Sequence, residues 1–231
     1  MKMTKTGSVF CFALSVALLS SCSDESTSAE TDSFNAAVVC PAEGVNAYGE
    51  PNRGTFTDAR DGQVYKYTTI GNQVWMAENL KFDAPYSLCY DKIEGFCDTF
   101  GRFYSLHKKG KTFALFDQEL LDTICPAGWH VPSEEEWIVL AVSMGGVDNV
   151  GRRLMSSSDF GERYTPGTDD CGFNSLPAGF LDGNISHEYV SSMYWTSTAR
   201  DFQSSFHCAF MATGFSFGYV SPQMTIRCVK D

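Results

Sequence analysis

The side chains in this sequence that could do chemistry include four histidines, and each of them stands alone. They are His107, His130, His187 and His207. His207 adjoins Cys208 on a predicted strand, so their side chains point to opposite faces and do not form a nucleophile and base pair. His130 lies in the sequence GWHVP, where we interpret it as a turn residue that hydrogen-bonds to backbone. The sequence therefore disfavours a Cys-His enzyme.

A second group of candidate residues carries the oxygen ligands that calcium prefers. It comprises Asp169, Asp170 and Asn174, with Asp182 and Asn184 nearby. The spacing is not that of an EF-hand, and exposed carboxylates are common in turns. A solvated loop is the favoured interpretation, and calcium is the only cofactor that the sequence suggests.

Aromatic residues recur toward the end of the chain. Phe215 and Phe217 alternate with small residues, which predicts a strand with an apolar inward face. Core packing accounts for most of these rings. An aromatic residue in a loop could instead stack on sugar rings, because ligand sites are often carried on loops of a rigid scaffold. Trp195 therefore joins Asp169 and Asp170 as a candidate ligand-binding residue.

The elements that must position these residues are marked by clear start and stop signals. Ser133 and Glu136 form a predicted capping box, and Gly145-Gly146 ends the helix that follows. The side chains on one face of this helix are apolar, namely Trp137, Leu140, Ala141 and Met144. Val64 to Ile70 and Gln73 to Met76 are strand-like, and the Gly71-Asn72 turn between them predicts a tight hairpin.

The beginning of the chain resembles the signal segment of bacterial lipoproteins. Lys2 and Lys5 precede an apolar run from Val9 to Leu19, which is too short to span a membrane. The run ends in LSSC, similar to the sequence in which the cysteine, here Cys22, is acylated. The alternative is an ordinary signal peptide with an incidental cysteine. Because Ser23 and not Asp follows the cysteine, the resemblance implies lipid-anchored outer-membrane delivery, with the protein facing the cell surface.

Charge and composition exclude one class of partner and suggest the domain organisation. The formal net charge is −11, and loss of Lys2 and Lys5 with residues 1–21 changes it from −11 to −13. So acidic a chain is repelled by phosphate backbones, which disfavours nucleic acid as a partner. We predict a signal peptide at 1–21, a lipidated cysteine with a flexible acidic tether and lead-in at 22–54, and one domain at 55–231.

The cysteines indicate a disulfide-stabilised domain. Nine are present, and seven remain once Cys11 and Cys22 are assigned to the signal and the anchor. An exported protein meets an oxidising compartment, so most of the seven should form disulfides. Cys89 and Cys97 bracket a short loop and predict a local bridge. The odd cysteine left over is predicted to be Cys40, because it lies near the tether.

Six ordered motifs resemble one known family, the Fibrobacter succinogenes major paralogous domain. The similarity covers roughly residues 56 to 230. The motifs are GNQVWMAENL at 71–80, GRFY at 101–104, CPAGWHVPSEEEW at 125–137, GTDDCGFNSL with PAG at 167–179, YWTST at 194–198, and IRC at 226–228. The resemblance implies an α+β fold of the C-type lectin-like kind, loop-rich, with short antiparallel strands and one or two main helices.

The resemblance also implies long-range disulfides. In a lectin-like fold, Cys125 and Cys228 would tie the first major helix region to the last strand. Closing a loop of about 100 residues is expected to contribute roughly 4 to 5 kcal/mol. Cys171 and Cys208 are then left as a second pair, or alternatively as two buried thiols.

Function is implied by analogy with the fold alone. We expect a non-catalytic cell-surface lipoprotein acting in binding or adhesion, with polysaccharide or envelope proteins as partners besides the membrane. One alternative is an oxidase, because HVPSEEEW also resembles a segment of the formylglycine-generating enzymes. A further alternative is a structural or protein-interaction component of the outer envelope.

Overall fold

Short helices and short antiparallel strands alternate along the chain. The computed structural model describes residues 34–90, 94–106, 117–182, 185–186, 191–201, 204–211, 214–219 and 223–231. The helices are α1 (Ala36–Val39), α2 (Phe96–Phe100), α3 (Gln118–Thr123), α4 (Glu134–Ser143) and α5 (Val147–Leu154). The strands are β1 (Arg53–Thr57), β2 (Val64–Ile70), β3 (Gln73–Met76), β4 (Trp129–His130), β5 (Phe180–Asp182), β6 (Ile185–Ser186), β7 (Ser192–Asp201), β8 (Ser204–Met211), β9 (Gly214–Tyr219), β10 (Gln223–Met224) and β11 (Val229–Lys230).

The central sheet is built on the predicted hairpin. β2 and β3 pair antiparallel with Ile70 opposite Gln73, which confirms the two-residue turn at Gly71-Asn72. Gly71 has a φ of +57°, a conformation that glycine adopts without a side-chain penalty. The five strands are ordered β1-β2-β3-β11-β4, and two three-stranded sheets have the orders β10-β5-β6 and β7-β8-β9. The predicted α+β class with short antiparallel strands is therefore confirmed at this level.

Helix α4 begins at the predicted capping box and packs on this sheet. The Ser133 amide donates to Glu136 Oε2 at 2.7 Å, and the Glu136 amide donates to Ser133 Oγ at 3.2 Å. The predicted apolar face is buried, and the Trp137 ring lies 4.6 Å from that of Trp75 on β3, centroid to centroid. The apolar face of the helix therefore packs against the central sheet.

The packed part of the chain starts earlier than the predicted boundary at residue 55. The segment 34–52, here called the lead-in, carries α1, and Phe34 and Val39 pack against the main core cluster. The Gly71 amide donates to the Val39 carbonyl at 2.7 Å, which ties the lead-in to the β2–β3 hairpin. The predicted signal peptide, Cys22 and residues 23–33 lie outside the described residues.

The disulfides correct two of the cysteine predictions. Bridges join Cys89 to Cys97, as their spacing predicts, and Cys125 to Cys228, as the family resemblance implies. A third bridge joins Cys40 to Cys171, whose Cα atoms lie 5.5 Å apart. The predicted Cys171–Cys208 pair and the unpaired Cys40 are therefore wrong, because the lead-in folds back onto the domain and brings Cys40 to Cys171.

Candidate functional site

Trp195 does not lie in a ligand-binding loop. It lies in β7 and its side chain is fully buried. Its indole Nε1 donates to the Tyr104 carbonyl at 2.8 Å, so its one polar group is satisfied inside the core. The prediction that Trp195 stacks on sugar rings is wrong, because the strand places the ring inward.

Asp169 and Asp170 hold a loop in shape. Asp169 adopts a φ of +47°, and its carboxylate accepts a hydrogen bond from the Asn174 amide at 2.7 Å. Burial raises the pKa of the Asp169 carboxyl above its ordinary value. Asp170 Oδ2 lies 3.9 Å from Arg153 Nε. Both residues therefore have structural roles in this loop.

The predicted calcium site is not assembled from the residues whose side chains are described. Within that part of the chain, no group of three His, Cys, Asp or Glu side chains is placed to hold a metal ion. The side chains of Asp182 and Asn184, which the prediction included, lie outside it. Calcium binding thus stays a prediction.

A fully buried arginine joins three separate parts of the domain. Arg227 donates from Nε to Asn79 Oδ1 at 3.0 Å, and it also donates to the Phe173 and Asn174 carbonyls. The centre of its guanidinium lies 4.5 Å from the Phe173 ring centroid. Complete burial lowers its pKa, since removal from water disfavours the charged form. The hydrogen bonds of Arg227 therefore hold together three parts of the domain. These are the segment before β11, which carries Arg227, the segment after β3, which carries Asn79, and the loop at 173–174.

His130 is bonded to two carboxylates and not to backbone, which corrects its predicted role. Its Nε2 lies 2.8 Å from Glu136 Oε1, and its Nδ1 lies 2.7 Å from Asp231 Oδ1. The hydrogen bond to Glu136 is the main reason that the pKa of His130 rises to about 9, against an opposing effect of burial. Burial tends to raise the pKa of Glu136, but the hydrogen bonds from His130 and Ser133 outweigh it and lower that pKa.

This arrangement does not form a nucleophilic triad. Ser133 Oγ donates to the Glu136 carboxylate at 2.9 Å, so the hydroxyl contacts the acid and not the imidazole. With a pKa of about 9, His130 carries its proton at neutral pH and does not act as a general base. The geometry instead makes His130 a cationic link between Glu136 and Asp231.

The His130 contacts predict a pH dependence of folding. Because the folded-state pKa of about 9 exceeds the ordinary 6.5, the stabilisation is complete below pH 6.5 and is lost as the pH rises through 9. The His130 side chain is 40% exposed, so solvent screening reduces the contribution to about 1 kcal/mol. Urea unfolding at pH 6 and pH 9.5 measures this difference. His130→Gln should abolish it, and an unchanged pH difference in that variant would contradict the assignment.

An exposed aromatic ring lies beside these charges. Tyr48 is 46% exposed, and its hydroxyl donates to the Asp231 carbonyl at 2.5 Å. Lys230 Nζ lies 5.2 Å from the Tyr48 ring centroid and donates to the Glu50 carboxylate at 2.6 Å. We call Tyr48, Glu50, His130, Lys230 and Asp231 the Tyr48 patch.

The backbone holds the Tyr48 patch in place. Asn46 Oδ1 accepts from the amides of Tyr48 and Glu50 at 3.0 and 3.1 Å, and Val45 and Pro51 form a β-bridge. These contacts fix the turn from Val45 to Pro51 in the folded protein, so ligand binding does not have to order it. Sequence reasoning missed Tyr48, because the Gly-, Pro- and Asn-rich segment around it reads as an irregular connection.

Comparison with known proteins places this α+β domain in a family. The model of the Fibrobacter succinogenes major domain matches residues 68–230, which is more than half of the chain. The chain belongs to that family. No curated protein and no solved structure matches it. In the part of the chain that the structure describes, none of the helices is both long and apolar enough to cross a membrane.

Proposed function

We propose that this protein is a lipid-anchored, non-catalytic binding protein of the bacterial outer envelope, and that the Tyr48 patch binds carbohydrate. The anchor rests on the sequence, where LSSC follows a short apolar run and supplies Cys22 for acylation. The acidic segment after Cys22 would then carry the domain away from the membrane, toward the cell surface. The proposed fold is the C-type lectin-like one, which the long-range Cys125–Cys228 bridge supports.

The observation that carries the proposal is an exposed aromatic ring held next to fixed hydrogen-bonding groups. The Tyr48 ring offers an apolar face, and Glu50, Lys230 and Asp231 offer donors and acceptors beside it. A sugar ring presents the complementary surfaces, since its C–H face packs on aromatic rings and its hydroxyls pair with polar groups. Carbohydrate therefore fits the patch better than an entirely apolar or strongly charged ligand.

A second candidate function is contact with an envelope protein. Helix α4 leaves Ile138, Val139 and Val142 exposed, at 43%, 43% and 68%. Exposed aliphatic side chains that share one helix face are typical of protein contacts. We do not propose the formylglycine-generating activity, because Cys228, the last cysteine of the chain, is bonded to Cys125 and has no free thiol.

The carbohydrate proposal predicts weaker glycan binding when Tyr48 is replaced by alanine. Removing the ring leaves the polar groups without their apolar neighbour, and stacking of this kind contributes about 1 kcal/mol, or roughly fivefold in affinity. The exported protein is tested on a glycan array, with Tyr86→Ala as the matched control because Tyr86 is also exposed. Equal binding by wild type and Tyr48→Ala contradicts the proposed site, and absence of glycan binding by the folded wild type contradicts the function.

A further inference from the structure

A cavity of about 250 Å³ lies between the lead-in and the end of the β2–β3 hairpin. The lead-in contributes Val38, Val45 and Asn52 to its lining, and β2 contributes Thr69. Its size is near the lower end of ligand pockets, which suits one small ring and not an extended chain. None of the residues of the Tyr48 patch lines this cavity. The two surfaces share the lead-in and are separate sites.

The walls of the cavity are held by contacts within the fold. The Thr69 amide donates to the Asn52 carbonyl at 2.8 Å, and Asn52 Nδ2 donates to the Glu43 carbonyl at 2.6 Å. The Cys40–Cys171 bridge fixes the lead-in covalently to the rest of the domain, directly after the lining residue Val39. A cavity with fixed walls binds without the cost of ordering its own loops.

The lining selects against charge. It contains no Asp, Glu, Lys, Arg or His side chain, and its polar side chains are those of asparagines and a threonine. Transfer of a charged group into such a site is costly, because no counter-ion offsets the lost hydration. Val38 and Val45, which are 75% and 70% exposed, add apolar surface to the lining. The cavity therefore suits a neutral ligand with both polar and apolar faces.

The Thr69 hydroxyl points to a specific hydrogen bond with such a ligand. Thr69 is 7% exposed, and its Oγ1 is buried with no hydrogen-bond partner among the described residues. A buried hydroxyl without a partner is unfavourable, so a group that pairs with it is bound more tightly. Thr69 lines the cavity, and rotation about χ1 moves a threonine hydroxyl among three staggered positions without moving the backbone. Asn52 lines the same cavity, and a side-chain amide carries two N–H donors and one carbonyl acceptor.

We propose that this cavity is a second carbohydrate subsite, which takes one uncharged monosaccharide ring through Thr69 and Asn52 without a metal ion. The choice of a sugar rests on the proposed function, since both sites would then serve one polysaccharide. The selection for a neutral ring rests on the lining itself. This subsite adds specificity for uncharged sugar units to the binding at the Tyr48 patch.

The test is titration calorimetry of the exported protein, in the presence of a metal chelator, with N-acetylglucosamine and glucose as neutral probes. Glucuronic acid and glucosamine are the charged counterparts. We expect the neutral sugars to bind, and Thr69→Val to weaken the binding about fivefold to tenfold, the equivalent of one hydrogen bond. Thr69→Val removes a hydroxyl with no partner among the described residues, so its unfolding midpoint should match or exceed that of the wild type. Thr55→Val, at an exposed position of β1, is the matched control.

The outcomes separate this inference from the proposed function. Weaker binding in Thr69→Val, with Tyr48→Ala unaffected, supports the subsite. Weaker binding in Tyr48→Ala alone assigns the monosaccharide to the patch and overturns the subsite, while the proposed function stands. Equal binding of glucuronic acid and glucose, or no binding of either neutral sugar, also overturns the subsite. The glycan array remains an independent test of the Tyr48 patch.

Discussion

Replacing Asn79 by leucine should lower the free energy of unfolding by about 3 to 5 kcal/mol, because it leaves the buried Arg227 charge without its side-chain acceptor. Arg227 and Asn79 are both almost fully buried, and Asn79 Oδ1 accepts from two nitrogens of the guanidinium. Water cannot replace the lost acceptor at such a site. Urea unfolding measures the change, and Asn149→Leu on the exposed side of α5 is the control, with an expected effect below about 1 kcal/mol.

A double variant distinguishes a buried charge from a simple packing defect. In Asn79→Leu with Arg227→Met, the charge and its acceptor are removed together, so the loss should be clearly smaller than the sum of the two single losses. The Phe173 and Asn174 carbonyls still lose their donor, so recovery is partial. Additive losses would contradict a coupled Arg227–Asn79 pair.

Removing the Cys40–Cys171 bridge should cost more stability than removing the Cys89–Cys97 bridge. The first joins residues 131 apart and the second residues 8 apart, so loop-closure entropy predicts about 5 and about 2.5 kcal/mol. Each bridge is replaced by a pair of serines, so the second variant is the matched control for the first. The urea midpoints of the two variants measure the difference.

The two serine variants should also differ in amide hydrogen exchange. Loss of Cys40–Cys171 loosens the lead-in, so the Gly71 amide, which donates to Val39, should exchange faster. Loss of Cys89–Cys97 should leave that amide unchanged. If Gly71 stays fully protected without the Cys40–Cys171 bridge, the lead-in is held by its packing alone, and the predicted role of this bridge is wrong.

Local signals in the sequence were sufficient for the local elements. The turn at Gly71-Asn72 and the Ser133 capping box depend on residues within a few positions of each other, and both form as predicted. The short Cys89–Cys97 bridge depends on equally local spacing. The Cys125–Cys228 pair was accessible only through resemblance to a family, because nothing near either cysteine specifies a partner 103 residues away.

The wrong predictions share a cause. Each concerns a residue whose partners or burial depend on packing between distant parts of the chain. The position of Cys40 near the tether predicts an unpaired thiol, yet the lead-in returns to the domain and pairs it with Cys171. The sequence pattern allows Trp195 to lie in a ligand-binding loop, but strand β7 places its ring inside the core. The carboxylate partners of His130 come from two places, Glu136 close in sequence and Asp231 far from it. The Tyr48 patch arises from the same long-range closure between the lead-in and β11.

The most direct test of the central claim is a chemical-shift map of the isotope-labelled protein during titration with a glycan that it binds. The account predicts that the largest changes occur at the amides of Tyr48, Glu50 and Lys230. Changes concentrated at Asp169 and Asp170, or along α4, with the Tyr48 patch unmoved, would contradict carbohydrate binding at this patch.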